Sequence, residues 1–97
     1  MKGFLSFLIL WLLSKQDMTG VEITEELEKR KGHRPSPGTI YPVLGKLKEL
    51  GLIIDDDQKR YSLTKNGREE LQTQIQTFFE TFCDIDDMKN HYKINKH

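Results

Sequence analysis

Cysteine is nearly absent from this sequence of 97 residues, because Cys83 is the only one. A single thiol excludes an intramolecular disulfide and a zinc site built from several cysteines. A chain without a disulfide framework fits a reducing compartment, and we expect it to be cytoplasmic. The sequence also lacks internal repeats and low-complexity segments, so its length predicts one small domain.

Long apolar runs are absent as well. The longest, residues 4–13, has nine apolar residues in ten, whereas a transmembrane helix needs about 20, so we expect no membrane segment. The run and the preceding Lys2 imitate a signal peptide, but no small-residue cleavage site follows at residues 14–17. We interpret the run as a helix buried on nearly all sides, which a second subunit would help to cover.

The sequence shows no catalytic or metal-binding constellation. It has no Ser/His/Asp set, no evident pair of buried carboxylates and no phosphate-binding glycine loop, so we expect neither an enzyme nor a cofactor. Residues 55–57 are consecutive aspartates, but adjacent side chains point in different directions and no His or Glu motif accompanies them. His91 and His97 are not at ligand spacing. We therefore expect a solvated turn, surface histidines and no metal.

Negative charge is missing from one stretch. The chain has 15 basic and 15 acidic residues, but residues 29–48, which we call the basic block, contain six basic residues and no acidic one. Residues 1–28 and 49–97 each carry a net charge of −3. Positive charge confined to one block indicates a polyanionic partner such as nucleic acid, even in a chain of zero net charge.

Residues 36–50 form the helix around which the chain is organised. Ser36 suits the N-cap, Pro37 suits the first helical position, and Gly51 suits the end. Helical spacing predicts one buried stripe, made of Ile40, Leu44, Leu47 and Leu50. Because Pro42 removes a backbone hydrogen bond, we expect the helix either to start near Gly38 or to be kinked.

The opposite face of this helix is polar and basic. It carries hydroxyl groups, an aromatic ring and positive charge, from Thr39, Tyr41, Lys46 and Lys48. A short helix with one apolar and one basic face suits the major groove of DNA, although the same pattern fits a plain amphipathic surface helix.

A second helix is predicted before it, after a turn at residues 17–20. Thr19 and Glu22 have the spacing of a capping box. Its apolar side is predicted to contain Val21, Ile23 and Leu27. The cations of residues 29–31 suit either the helix C-terminus or DNA contact, and Gly32 ends the helix. Two helices joined by a short connection, with a basic outer face, form the helix-turn-helix pattern.

A β-hairpin is predicted directly after the second of these helices. Residues 52–54 and 60–63 are β-prone, and a polar loop joins them. A hairpin at this place is the wing of a winged helix. Because the aspartates of the loop would repel phosphates, Lys59 and Arg60 are the expected wing contacts.

The last predicted helix, capped by Thr64, has a large apolar stripe for so small a domain. The stripe consists of Leu71, Ile75, Phe78, Phe79 and Phe82. An exposed stripe of this kind marks a partner surface, although packing against the first helix also accounts for it. We expect residues 84–97 to extend the helix and fray into a tail.

Residues 20–23, 35–44, 47–53 and 60–68 together resemble the PadR family of transcriptional regulators. The run Ser36-Pro-Gly-Thr-Ile-Tyr-Pro42 is the most specific part, and the resemblance covers about residues 3–72. It implies a winged helix-turn-helix, mainly α with a small β-hairpin, to which a C-terminal dimerisation helix is added. It also implies a homodimer that represses by binding a palindromic operator. Val21 departs from the family, which often has Tyr there.

The resemblance and the residue patterns together give the candidate sites. The candidate contacts to double-stranded DNA are Arg34, Ser36, Pro37, Gly38, Thr39, Tyr41, Pro42, Lys46, Lys59 and Arg60. The candidate dimerisation residues are Phe4, Leu8, Trp11, Leu71, Ile75, Phe78, Phe79 and Phe82. Residues 1–64 then form the DNA-binding domain and residues 65–97 the dimerisation helix and tail, within one structural unit.

Two further readings stay open at the level of sequence. Short family members often offer a ligand site only at the dimer interface, where Trp11, Phe78 and Phe82 either contact a small hydrophobic effector or form the dimer core. The winged helix could instead be a protein-interaction module that does not bind DNA. The basic block favours DNA, because a protein-binding module has no need for six cations without an acid.

Overall fold

The structure of the protein is a computed structural model that describes residues 2–92, apart from the side chains of residues 2, 3 and 31. This range forms a mainly helical fold with a small antiparallel sheet, which confirms the predicted fold class. The elements in chain order are α1 (Lys2–Lys15), β1 (Met18–Thr19), α2 (Gly20–Lys31), α3 (Pro37–Glu49), β2 (Ile53–Asp55), β3 (Arg60–Leu63), α4 (Lys65–Thr81) and α5 (Ile85–Tyr92).

Helix α1 lies at the centre of the core. Its buried side chains are Leu5, Ile9, Leu10, Leu12 and Leu13, and they pack against α3, β3 and α4. One side is less covered than predicted, since Phe4 is exposed and Leu8 and Trp11 are only half-buried. The remaining exposure lies on residues that the sequence assigned to a second subunit.

Helix α2 begins with the predicted capping box. The Thr19 hydroxyl accepts a hydrogen bond from the Glu22 N–H at 3.2 Å, and the Glu22 carboxylate accepts one from the Thr19 N–H at 2.9 Å. Gly32 ends the helix with a φ of 82°, as predicted. The apolar side was predicted wrongly in one place, because Val21 is 53% exposed.

Helix α3 turns its predicted stripe inward, with Ile40, Leu44 and Leu47 buried. Leu50 does not follow them: it is 56% exposed, because the helix ends at Glu49 and Gly51 turns the chain with a φ of 75°. The predicted hydroxyl cap is also wrong. The Ser36 side chain caps no backbone N–H, and its Oγ lies 3.1 Å from the Thr39 Oγ1 instead.

Helix α3 starts close to Gly38, which is one of the two alternatives that Pro42 led us to expect. The helix begins at Pro37 and continues through Pro42 to Glu49. The Ser36 carbonyl accepts hydrogen bonds from the N–H groups of Thr39 and Ile40, so the first turn forms without the missing N–H of Pro37.

The sheet has three strands in the order β1-β3-β2, where two were predicted. Residues 17–20 are not simply a turn, because Met18 pairs with Tyr61 and Thr19 with Arg60. A strand of two residues is too short to show the alternation that identifies strands in a sequence. Strand β3 is therefore central: it pairs with β2 in the hairpin and with the residues just before α2.

Helix α4 begins at the predicted Thr64 cap, whose hydroxyl accepts a hydrogen bond from the Gly67 N–H at 2.9 Å. It ends at Thr81, and residues 82–84 form a turn before α5. The predicted continuous extension is therefore wrong for this part, and residues 93–97 of the expected tail lie outside the described residues. No helix between residues 2 and 92 has the length and apolar composition to cross a membrane.

Candidate nucleic-acid interface

The outer face of α3 carries the predicted contact residues and is accessible. Burial of Ile40 and Leu44 against the core fixes how the helix is rotated, and this rotation leaves Thr39, Tyr41 and Lys46 exposed. Lys46 forms no ion pair with any residue that the structure describes. Its ammonium group therefore remains available to an external anion.

The residues that lead into α3 are exposed too. Ser36, Pro37 and Gly38, together with Pro42 one turn later, have accessible surfaces. Arg34 is already engaged, since its guanidinium lies 3.3 Å from the Glu28 carboxylate. An exposed ion pair of this kind contributes little stability, so the guanidinium can exchange this partner for a phosphate.

Tyr41 lies across the start of α2. A Cβ atom added to Gly20 would be 2.5 Å from the Tyr41 Oη and 2.8 Å from the ring atoms Cε1 and Cζ. Gly20 itself is buried, whereas 45% of Tyr41 is exposed. Sequence reasoning placed Tyr41 on the outer face of α3 but missed its packing against Gly20.

Tyr61 lies in the central strand β3. Burial raises the pKa of Tyr61, the Asp55 carboxylate raises it further, the Lys48 ammonium lowers it, and the Tyr41 hydroxyl raises it. Lys48 pairs with Asp55 at 3.1 Å. This half-exposed ion pair links α3 to the first strand of the hairpin.

The wing loop is ordered by one of its aspartates. The Asp56 carboxylate accepts hydrogen bonds from the N–H groups of Gln58 and Arg60, at 2.9 and 3.0 Å. Lys59 takes a left-handed conformation with a φ of 61° and is exposed. Asp55 and Asp56 thus have structural roles, and the side chain of Lys59 extends from the end of the loop.

Arg60 has an internal role that the sequence did not predict. Its guanidinium donates to the Asp17 carbonyl at 2.9 Å and lies 3.5 Å from the Glu22 carboxylate. Glu22 is also part of the capping box of α2. Arg60 therefore fastens the wing to the start of α2, and of the two predicted wing contacts Lys59 is the one free of ion pairs with the described residues.

Metal coordination finds no support in the described part of the chain, where no three His, Cys, Asp or Glu side chains are grouped to hold an ion.

Three of the predicted dimerisation residues, Phe4, Phe78 and Phe82, line a cleft between α1 and α4. Four neighbouring phenyl rings, which we call the phenylalanine cluster, line it: Phe4, Phe7, Phe78 and Phe82. Its other lining residues are Glu70, Thr73, Gln74, Thr77 and Thr81. The centroid of Phe78 is 6.3 Å from that of Phe7 and 4.9 Å from that of Phe82. The cleft has a volume of about 390 Å³.

The other predicted members of this surface are spread more widely. Leu71 is buried in the core of the subunit, Ile75 is half-buried, and Phe79 is 62% exposed. Trp11 does not line the cleft; its ring lies 5.1 Å from the Lys15 Nζ. Phe7, which the sequence analysis missed, takes the place expected for Trp11.

Comparison with known proteins identifies one family of transcriptional regulators. Residues 9–73 match the profile of the transcriptional regulator PadR-like family. Over 76 residues the chain is 36% identical to the transcriptional regulator YqjI of Escherichia coli (strain K12), covering 72% of this chain but only 37% of that protein. The chain therefore spans little more than a third of this relative's length.

Solved structures show the same fold. The protein TA0346 from Thermoplasma acidophilum is 27% identical, with a TM-score of 0.74 over 92% of this chain and 93% of that one. Bacillus subtilis PadR in complex with p-coumaric acid is 34% identical, with a TM-score of 0.67 over 73% of this chain and 43% of that one.

Proposed function

The chain belongs to the transcriptional regulator PadR-like family, and from this membership we propose that it is a repressor that binds a palindromic operator as a homodimer. The membership confirms the resemblance seen in the sequence. Members of this family are transcriptional regulators and not enzymes, which agrees with the missing catalytic residues. In the proposal, α3 reads the major groove and the hairpin β2–β3 contacts the flanking backbone.

One observation carries the DNA-binding part of the proposal. The exposed face of α3 combines hydroxyl groups with an unpaired cation, and it lies within the basic block of the sequence. Thr39 and Lys46 are suited to base edges, because hydroxyl and ammonium groups can read their donor and acceptor pattern. Tyr41 and Lys59 are suited to phosphates, which position the protein without carrying sequence information.

The phenylalanine cluster supports the dimeric part. Phe4 and Phe82 are 45% and 39% exposed although they belong to one cluster of contacting rings. Large apolar surfaces that stay accessible in one subunit mark interaction sites. A two-fold axis beside α1 and α4 would bury the cluster of both subunits and set the two α3 helices apart at a fixed distance, as a palindromic operator requires.

The same surface could hold an effector. The Bacillus subtilis relative has been solved with p-coumaric acid, a small aromatic acid, and the cleft here is lined by four phenyl rings. We propose that a small hydrophobic molecule binds in this cleft when two subunits close it. An aromatic compound that raises the midpoint of thermal unfolding of the dimer, but not of a Phe82→Asp variant, would support this site.

Selection of bound sequences from random duplex DNA tests the proposal. An enriched sequence with two-fold symmetry is expected. Affinity for that duplex should fall with salt at a log–log slope of roughly −0.9 per phosphate contacted, hence near −5 for a dimer with about three contacts per subunit. No enrichment together with a flat salt response would favour a protein-interaction module.

Two variants sharpen this test. Thr39→Ala should change the enriched sequence, because a base contact is lost. Lys89→Gln, on α5 and outside the basic block, should change neither the enriched DNA sequence nor the salt slope. If the Thr39→Ala variant enriched the same DNA sequence as the wild type, another face of α3 would read the bases.

A further inference from the structure

The contact between Gly20 and Tyr41 joins the two helices of the helix-turn-helix at one point. No side chain at residue 20 could share the space with the phenol, because an added Cβ would lie 2.5 Å from the Tyr41 Oη, well inside van der Waals contact. Gly20 does not have a positive φ. Its backbone conformation is therefore open to any residue, and the space occupied by Tyr41 is what requires glycine.

Tyr41 needs support from its surroundings to keep one rotamer. It is 45% exposed, and so accessible a side chain would otherwise sample several rotamers on a helix surface. The space beside Gly20 is filled by its phenol, and this packing favours one of these rotamers.

We propose that Gly20 is a positioning residue for DNA binding: the space left by its missing side chain holds the Tyr41 ring in the one orientation that presents the hydroxyl to a phosphate. The inference rests on the proposed function of Tyr41. Preorganisation of this kind improves affinity because the side chain loses less rotamer freedom on binding. Gly20 itself makes no contact with DNA in this proposal.

Alanine at residue 20 separates this role from a purely structural one. The Tyr41 ring is the nearest obstacle to the new Cβ, and it is an exposed side chain that can rotate away. Helix formation favours Ala over Gly, so Gly20→Ala should keep or raise the midpoint of thermal unfolding. Affinity for the selected duplex should nevertheless fall, because the hydroxyl is no longer held in place.

A double-mutant cycle measures the coupling. Tyr41→Ala should weaken binding by about 10- to 150-fold, the range of one hydrogen bond to a charged group, and Tyr41→Phe should weaken it through loss of the hydroxyl alone. Gly20→Ala should weaken binding by a similar factor. The double variant should bind no more weakly than Tyr41→Ala, and it should fold even if Gly20→Ala does not, because the obstacle is gone.

The outcomes distinguish a failure of the proposed DNA binding from a failure of the positioning role of Gly20. If the wild type binds no duplex, the proposed function fails. If the wild type binds and the two substitutions reduce affinity independently, Gly20 does not act through Tyr41 and the positioning role is overturned. NMR provides a readout without DNA, because the Gly20 Hα protons should show a nuclear Overhauser effect to the ring protons of Tyr41 in the wild type. Absence of this effect would show that the ring is not beside Gly20.

Discussion

Gly67→Ala should destabilise the protein, although alanine is the better helix former. Gly67 is buried in the first turn of α4. A Cβ atom there would lie 2.0 Å from the Leu52 carbonyl oxygen and 2.9 Å from the Leu63 Cδ2. The carbonyl belongs to the backbone and already accepts the Thr64 N–H, so α4 must move away from the segment that precedes β2 to make room.

The cost can be estimated from these distances. Inserting one carbon atom into a packed region costs about 1–3 kcal/mol, and the helix preference for alanine offsets roughly 0.5–1 kcal/mol of it. For a domain of this size, each kcal/mol lost lowers the midpoint of thermal unfolding by about 4–8 °C. Urea titration followed by circular dichroism, at one fixed protein concentration because dimers unfold in a concentration-dependent way, gives the free energy of unfolding.

Gly45→Ala is the matched control. Gly45 is exposed in the middle of α3, and nothing lies within 4 Å of a Cβ added there. The same substitution should therefore stabilise the protein at this position by about 0.5–1 kcal/mol. If Gly67→Ala also raised the free energy of unfolding, the close approach of α4 to the Leu52 carbonyl would be refuted.

Two further predictions concern the candidate interfaces. The double variant Phe78→Asp, Phe82→Asp should abolish dimerisation and most of the operator affinity, because the interface loses about 1.5–3 kcal/mol for every large apolar side chain that it no longer buries. Sedimentation at micromolar concentration measures the dimerisation, and a dimer as tight as that of the wild type would place the interface elsewhere. Lys59→Gly should leave the free energy of unfolding unchanged or slightly higher, since glycine takes the left-handed conformation without strain. The salt slope of DNA binding should become less steep by roughly 0.9 per subunit, and an unchanged slope would show that Lys59 does not contact a phosphate.

The helices could be predicted because their signals are local. Thr19 and Glu22 cap α2 through neighbours three residues away, and Thr64 does the same for α4. Burial of Ile40 and Leu44 follows from helical spacing alone. Errors occurred at helix ends: Leu50 continues the apolar pattern, but the helix has ended and the side chain is exposed, and at the start of α3 the Ser36 hydroxyl makes no cap.

The contacts between elements could not be predicted in the same way. Arg60 was assigned to DNA from its charge, whereas its guanidinium is bound to the Asp17 carbonyl, 43 residues earlier. Gly20 was interpreted as part of a turn and of a family motif, whereas the structure shows that its missing side chain makes room for the Tyr41 ring. Spacing along a chain gives no information about which distant groups meet, so these roles needed three-dimensional coordinates.

The central position of β3 has a consequence for how the protein folds. The strand pairs with β2 on one side and with Met18 and Thr19 on the other, so the sheet is complete only after a long loop of chain has closed. Loop closure costs entropy before its contacts form, and structures that depend on such contacts fold slowly. The helices can therefore form early, whereas the orientation of the wing relative to α3 is expected to be established in a late step.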